Sequence, residues 1–224
     1  MRYVRVLLPL VVMAVMPAYG SIILFNGVDV LPSPPATVVI GTGADDSTAY
    51  AFWESQTFTS SPIHVAIGAD PGTWTCCTNL PLGVVPSDLT INSYLLYAQP
   101  ETPDPGSNYR TYTGSVTFSP GENIVGVIIS YGHLAGTDST LGSPSTTYGT
   151  SLYYGLEHGD SVSISGNLET LNFKFNVIPG RIDEIRILTE IPEPADFLLI
   201  GSGLLALGLF FNSRRRRRSL RAQE

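Results

Sequence analysis

The chain has 224 residues, a formal net charge of -7 and only 14% charged residues. This length fits one domain of ordinary size with short appendages, and an aromatic content of 10% with so few charges excludes a disordered chain. Residues 21–191 hold 16 acidic and four basic residues, whereas the first 20 and the last 33 residues are both net basic. The acidic middle is therefore not expected to bind nucleic acid, because phosphate neutralisation needs a Lys and Arg surface.

Residues 1–20 have the three parts of a secretory signal peptide. Arg2 and Arg5 form a basic start, residues 6–16 are apolar, and residues 18–20 place small side chains at the -3 and -1 positions of a cleavage site. The alternative is a buried first helix or strand, which the two prolines of this stretch disfavour. We predict that the protein is exported and that its mature chain starts at Ser21.

An apolar segment, 195–211, lies near the C-terminus. As a helix its 17 residues would span about 25 Å, which is the short limit for crossing a membrane. Positive charge beside a span stays on the cytoplasmic side, so residues 21–191 are expected outside the inner membrane. The alternative for the basic run is a solvated or nucleic-acid-binding tail, but its position directly after an apolar segment favours stop-transfer. The run consists of Arg214, Arg215, Arg216, Arg217 and Arg218.

The C-terminal 33 residues also contain a short motif, Pro192, Glu193 and Pro194, ahead of the apolar segment and the arginines. This three-part order resembles the PEP-CTERM sorting domain of Gram-negative bacteria. The resemblance implies recognition by an exosortase, a membrane-embedded transpeptidase-like enzyme, with cleavage near the motif and transfer to the cell surface. It also implies a setting of exopolysaccharide and biofilm. The motif is then the substrate of the exosortase, and residues 192–224 form the sorting tail.

Residues 21–191 are typical of an all-β domain. Residues 169–177 alternate apolar and polar side chains with the period of a half-buried strand, and 115–119 and 161–165 do the same. Turn residues separate these segments, which predicts an antiparallel β-sandwich or jelly roll. Residues 90–189 also resemble β-rich ectodomains that carry this sorting tail, a resemblance that implies no activity. Further predicted strands are 21–28, 36–41, 48–58, 63–68, 90–98, 123–131, 151–157 and 182–189.

Two polar stretches, 99–110 and 132–150, are predicted to be long surface loops. They contain Tyr109 and Tyr148, which we therefore expect to be exposed. Sugar rings stack on exposed aromatic faces, so this pattern favours contact with carbohydrate. The alternative is that most aromatic side chains of the domain lie in its core.

The two cysteines, Cys76 and Cys77, are adjacent. Three states are open to them in an oxidising compartment: a vicinal disulfide, an intermolecular disulfide or free thiols. Neighbouring Cα atoms are closer than the usual separation in a disulfide, so a vicinal bond would be strained. In none of these states does a disulfide join distant parts of the fold.

The sequence offers no catalytic motif. His64, His133 and His158 are far apart in the sequence, and His64 lies in an apolar run that favours a core or sheet position. Neither the GxSxG motif of hydrolases nor the HExxH motif of zinc proteases is present, so no enzyme, metal or other cofactor is expected. Asp45 and Asp46 are candidate calcium ligands, the alternative being solvated surface carboxylates.

These observations predict an exported, non-enzymatic protein of the cell surface or extracellular matrix. Its expected partners are the export machinery, an exosortase, the inner membrane as a transient anchor and exopolysaccharide. A lectin-like module, with or without calcium, is the alternative, and a secreted hydrolase is a less favoured one. A concave sheet face with exposed aromatics would favour the lectin-like module, and a face of short Thr and Ser side chains would favour the matrix protein.

Overall fold

The computed structural model describes residues 22–41, 45, 47–76, 80, 82–101, 109–150, 154–157 and 159–191. Within these ranges the chain forms strands and one helix, α1 (Tyr131–Leu141). The strands are β1 (Ile22–Asn26), β2 (Val28–Val30), β3 (Thr37–Val38), β4 (Ala49–Phe58), β5 (Ile63–Val65), β6 (Gly72–Thr75), β7 (Gly83–Val85), β8 (Thr90–Ala98), β9 (Arg110–Phe118), β10 (Asn123–Ile128), β11 (Thr147–Tyr148), β12 (Ser161–Ile164), β13 (Thr170–Val177) and β14 (Asp183–Glu190).

Two five-stranded sheets make up most of the structure. Sheet A has the order β1-β9-β13-β12-β6, and sheet B has the order β10-β14-β8-β4-β2. All pairings within these two sheets are antiparallel except that between β2 and β4, which is parallel. Two small sheets, β11 with β3 and β5 with β7, complete the described strands. The all-β class predicted from the sequence is confirmed.

One hydrophobic core lies between the two large sheets. The inward side chains of β13, such as Phe173 and Phe175, pack there with residues of the opposite sheet, such as Leu96 and Ile187. The apolar side chains of β13 all point inward because they occupy every second position, and alternate side chains of a strand point to the same face. Burial of this apolar set supplies the main driving force for pairing the sheets, at roughly 25 cal/mol for each Å² removed from water.

A second apolar layer covers the outer face of sheet B. Phe52, Leu95 and Tyr97 pack there with residues of the connections that cross the sheet. Leu134 and Leu141 of α1 cover another part of the same face. Strands β8 and β14 are consequently buried on both faces, with one intermediate residue at an end of each strand.

The helix α1 corrects the prediction of a loop over 132–150. It has no side-chain hydrogen bond at its N-cap, Ser130, and only two buried residues. It also contains Gly132 and Gly136, which disfavour a helix. No amphipathic period was present to reveal it, so contacts with sheet B hold the helix rather than its own sequence.

Most other predicted strands are present within three residues of their predicted ends. Strand β9 starts at Arg110, five residues before its predicted start at 115, and the predicted strand 21–28 is divided at Gly27 into β1 and β2. The sequence does not predict strands β6 and β7, because both are short and follow turn-rich sequence. The predicted strand 151–157 is not a strand in its described part, where Tyr154 and Gly155 form only isolated bridges.

Both ends of the described chain lie at the same end of the two sheets. Ile22 pairs with Phe118 in sheet A, and a turn then leads to Asn123, which pairs with Glu190 in sheet B. The Ile191 amide donates a hydrogen bond to the Thr90 carbonyl at 3.0 Å. We call this the termini end.

Several predictions fall outside the described residues. They concern the signal peptide at 1–20, the sorting tail at 192–224, and the side chains of Asp46, Cys77 and His158. Within the described ranges, α1 is not long and apolar enough to cross a membrane.

Candidate functional surface

The outer face of sheet A carries short polar side chains in register across the strands. We call it the polar face: the outward Thr, Ser, Asn and Lys side chains of β6, β12, β13 and β9, together with Asn26 of β1. The strand pairings align them in rows. One row is Thr75, Ser161, Lys174 and Thr113, and the next is Thr73, Ser163, Asn172, Ser115 and Asn26.

Several hydroxyl groups of the polar face form no hydrogen bond with any residue that the structure describes. Asn172 Nδ2 donates to Ser163 Oγ at 3.3 Å, and Thr117 and Thr170 share a hydrogen bond of 3.0 Å. No such bond joins the remaining hydroxyls of the two rows to a described residue. Each hydroxyl can donate one hydrogen bond and accept two, so the polar face presents a regular array of vacant donors and acceptors. The hydroxyls in question belong to Thr73, Thr75, Thr113, Ser115 and Ser161.

The polar face also differs in charge from the rest of the domain. The five strands of sheet A contain no Asp or Glu. Lys174 is exposed near the middle of the face and makes no ion pair with a described residue. It borders a shallow depression of about 130 Å³, whose rim includes Thr73, Ser163 and Asn172. Although residues 21–191 are strongly acidic, this surface is neutral to basic.

The outer face of sheet B carries a buried ion pair instead. Arg186 of β14 is fully buried, and its guanidinium donates to both carboxylate oxygens of Glu54 in β4, at 2.7 and 2.9 Å. Ser93 Oγ donates to the same carboxylate at 2.7 Å. The bidentate geometry and the added hydroxyl compensate for removing both charges from water.

The same arginine binds α1. Its Nη1 atom donates to the Leu134 carbonyl at 3.0 Å, and its Nη2 atom donates to Asp138 Oδ1 at 2.9 Å. Burial alone would lower the pKa of Arg186, but the adjacent Glu54 and Asp138 carboxylates raise it above its ordinary value. Arg186 therefore stays charged and joins the helix to the sheet.

Two hydroxyl groups of β4 bind the C-terminal end of α1. Ser55 Oγ donates to the Leu141 carbonyl at 2.6 Å, and Thr57 Oγ1 donates to the Thr140 carbonyl at 3.2 Å. The last carbonyls of a helix have no partner within it, so these two bonds satisfy groups that would otherwise need water.

Two further buried carboxyl groups lie on β14 without compensation of this kind. Both oxygens of Asp183 and one oxygen of Glu184 are buried and accept no hydrogen bond from a described residue. The protonated Asp183 carboxyl donates to the Asp160 carboxylate. Burial and the neighbouring Asp160 carboxylate raise the pKa of Asp183 to about 9. Burial raises the pKa of Glu184 to about 8, although the nearby Arg186 acts against this. Both groups are therefore neutral over most of the acidic and neutral pH range.

The structure confirms the predicted exposure of one tyrosine and contradicts that of another. Tyr109 is exposed, as expected. The prediction for Tyr148 is wrong: this side chain is partly buried, and its hydroxyl donates to Glu54 Oε1 at 2.7 Å. Its ring also lies 5.6 Å from the Arg186 guanidinium carbon. Tyr148 therefore joins Glu54, Arg186 and Asp138 in what we call the sheet B network. It does so because α1, and not an open loop, precedes it.

Asp45 is engaged in a local turn. Its Oδ1 atom accepts hydrogen bonds from the Ser47 amide and hydroxyl, both at 2.6 Å, and from the Thr48 amide at 3.1 Å. The hydroxyl bond from Ser47 is the main cause of a lowered pKa of Asp45. Within the described ranges, no group of three or more His, Cys, Asp and Glu side chains is arranged to hold a metal ion. Calcium binding stays a prediction.

Two histidines that are distant in sequence line one pocket. His64 lies on β5, as expected for a sheet histidine, but it is exposed and not in the core. It borders a pocket of about 340 Å³ that also includes His133 of α1. Ser130 Oγ is 3.1 Å from Nδ1 of His133. This proximity depends on the position of α1, which no local pattern in the sequence predicts.

Cys76 is buried and is part of a disulfide. Its Sγ atom lies 3.2 Å from the Leu156 carbonyl oxygen, and its amide donates to the Asp160 carbonyl at 2.7 Å. The chain's only other cysteine is Cys77, whose position is not described, so the predicted vicinal pairing stays a prediction.

Comparison of the chain with protein-family models, with curated proteins and with solved structures finds no match in any of the three.

Proposed function

We propose that this chain is an exported protein of the cell surface or extracellular matrix that contacts exopolysaccharide through the polar face without enzymatic action. The signal peptide, the apolar segment and the arginines of the sequence support export and transient anchoring in the inner membrane of a Gram-negative bacterium. The Pro-Glu-Pro motif supports sorting by an exosortase. The proposed ectodomain is a jelly-roll-like β-sandwich spanning residues 21–191.

The polar face is the observation that carries the proposed contact. A polysaccharide presents hydroxyl groups at regular intervals, and the aligned hydroxyl and amide groups of sheet A can donate to them and accept from them. The face lacks acidic residues in an otherwise acidic domain. Lys174 adds one positive charge, so an anionic sugar such as a uronate would be attracted there and repelled elsewhere.

The contact is tested by sedimenting the full chain with exopolysaccharide from the producing cells. The informative variant is Lys174→Gln, and Ser139→Glu on the exposed side of α1 is its matched control, since both change the net charge by -1. We expect Lys174→Gln to weaken binding severalfold and Ser139→Glu to leave it unchanged. Equal binding by all three chains, or no binding by any, would contradict the role of the polar face.

The same experiment separates a direct contact from one bridged by calcium. We expect binding to persist in chelator, because no acidic residue lies on the strands of sheet A. Loss of binding in chelator would instead assign the contact to a calcium ion held by carboxylates, for which Asp45 and Asp46 are the sequence candidates.

A lectin-like module is the second candidate, and the depression beside Lys174 favours it. A defined site would bind a short oligosaccharide saturably, whereas an extended face would bind only long chains. Calorimetry with oligosaccharides of increasing length distinguishes the two. Within the described strands of sheet A, the outward positions of the two rows carry no aromatic residue, so we expect affinity to grow with chain length.

The sorting proposal has its own test. Replacing Pro192, Glu193 and Pro194 together by alanine leaves the apolar segment and the arginines intact. In the producing bacterium we expect the altered chain to stay in the inner membrane while the unaltered chain reaches the surface. Surface delivery of both chains would contradict recognition of the motif by an exosortase.

A further inference from the structure

The termini end carries exposed apolar side chains at one corner of the molecule. Leu24 and Ile23 of β1 are 65% and 46% exposed, and Phe58 at the end of β4 is 61% exposed. Large apolar side chains with this much exposure usually have a partner when they occur close together.

The strand pairings place these side chains at the same end. Phe58 pairs with Thr90, and the Thr90 carbonyl accepts the hydrogen bond from the Ile191 amide. On the other sheet, Ile22 pairs with Phe118, which precedes the turn that leads to Asn123. Phe58 and the start of β1 are therefore both beside the points where the described chain begins and ends.

They also lie on the same side of the two sheets. After β1 the chain reverses at Gly27, whose φ of 66° is in the left-handed region, and enters β2. A Cβ atom at Gly27 would lie 2.2 Å from the Thr113 carbonyl oxygen, so this reversal needs glycine. Strand β2 then pairs with β4. The start of β1 and the end of β4 are thus at one corner.

The length of chain after Ile191 limits the distance between this corner and a membrane. Only Pro192, Glu193 and Pro194 separate Ile191 from the apolar segment that starts at residue 195. Four residue steps reach at most about 14 Å when fully extended. The headgroup region on one side of a bilayer is roughly 5–8 Å thick, so the anchored domain cannot move far from the lipid.

We propose that, in the anchored precursor, the termini end rests on the bilayer with Ile23, Leu24 and Phe58 at the lipid interface. This inference rests on the proposed anchoring by residues 195–211. The short tether keeps the corner at high local concentration near the bilayer, so weak apolar contacts are enough to orient the domain. The corner is apolar and not basic, so neutral phosphatidylcholine is a sufficient partner.

This orientation places the polar face along the side of the domain and the other end of the sheets away from the lipid. Tyr109, which is 56% exposed, directly precedes β9 at that far end. Phe118 lies nine residue steps further along the chain, which corresponds to about 30 Å of strand. Tyr109 therefore provides a control position on the same strand.

The test uses the full chain in phosphatidylcholine nanodiscs, with a fluorophore on a cysteine introduced as Leu24→Cys, Phe58→Cys or Tyr109→Cys. The unaltered chain, treated in the same way, measures labelling of Cys76 and Cys77. A lipid-borne spin label serves as the quencher. We expect severalfold stronger quenching at positions 24 and 58 than at 109. Because all three positions are exposed, the label is expected to leave the fold intact, which circular dichroism checks.

Two results would overturn the inference, and they differ in meaning. If the chain elutes with the nanodiscs but all three positions are quenched equally weakly, the domain stands off the membrane and only this inference fails. If the chain does not elute with the nanodiscs, the proposed anchor is wrong and the inference fails with it.

Discussion

The two large sheets have opposite outer faces. Sheet A leaves a regular array of hydroxyl and amide groups open to solvent, whereas sheet B is covered by α1 and by an apolar layer and holds a buried ionic network. Charge is divided in the same way, because sheet A has no acidic residue in its strands while β4 and β14 of sheet B contain buried carboxyl groups. The outer face of sheet B therefore adds buried contacts to the core that both sheets share, whereas the outer face of sheet A is open to solvent, where we propose the polysaccharide contact.

The largest effect is expected from breaking the network under α1. Replacing Arg186 by methionine leaves the buried Glu54 carboxylate without its ionic partner, and removes three hydrogen bonds to the helix, to Leu134, Thr137 and Asp138. We expect the free energy of unfolding to fall by about 3–5 kcal/mol, measured by urea denaturation. The double variant Glu54→Leu with Arg186→Met should be more stable than the single variant, since no charge stays buried alone. If the double variant is the less stable one, the pair itself contributes more than its desolvation costs.

The second effect concerns pH and the buried carboxyl groups of β14. The folded-state pKa of Asp183, about 9, lies above its ordinary value of 3.8. Stability from this group is therefore complete below about pH 4 and is lost as the pH rises towards 9. Glu184 acts in the same direction up to about pH 8. We expect the melting temperature to decrease as the pH rises from 5 to 9.

The substitution Asp183→Asn removes one of these titrations. We expect it to raise the free energy of unfolding by several kcal/mol more at pH 9 than at pH 5, because the unfolded Asp183 carboxyl ionises above about pH 4 while the folded one stays protonated up to about pH 9. The loss that asparagine removes grows by roughly 1.4 kcal/mol per pH unit at most, so the change at pH 5 should be small. A pH dependence that is the same in both chains would show that Asp183 is not its source.

A smaller effect is expected on α1 itself. A Cβ atom at Gly136 would meet no other atom within 4 Å, so alanine fits there without a clash. Since alanine favours a helix over glycine, we expect Gly136→Ala to raise the free energy of unfolding by about 0.5–1 kcal/mol. Denaturant unfolding measures the gain. A loss of stability would mean that the open space beside Gly136 is required by the fold.

The smallest effect is expected on the polar face. Asn172 is exposed, and its side chain makes one weak bond, to Ser163. We expect Asn172→Ala to change the free energy of unfolding by no more than about 0.5 kcal/mol, which the same unfolding assay measures. A loss of several kcal/mol would remove the distinction between the two outer faces.

The polar face was accessible to prediction from the sequence, although its extent was not. The alternation of Leu171, Phe173 and Phe175 with Thr170, Asn172 and Lys174 predicts one buried and one exposed face for β13. Which strands lie beside β13, and hence which residues extend its rows, depends on pairings between distant segments. Ser163 and Ser115 join Asn172 in one row only because β12 and β9 flank β13.

The sheet B network was not predictable in the same way. In β14, Glu184 and Arg186 alternate with Ile185 and Ile187, which is the pattern of a strand with one face in water. Both faces are buried, because α1 and the chain around Tyr148 lie over the charged side. The helix has no amphipathic period, and its position depends on contacts with Arg186 and Ser55 of sheet B, which no local pattern predicts.

The sequence by itself determined the all-β class, the approximate position of most strands and the division of charge along the chain. These depend on the period and composition of local segments, which act over a few residues. The tertiary structure decided which face of each sheet is open, that Arg186 and Tyr148 lie in one buried network, and that both ends of the domain emerge together. These features depend on contacts between residues more than 90 positions apart, such as Glu54 with Tyr148, and no local pattern encodes them.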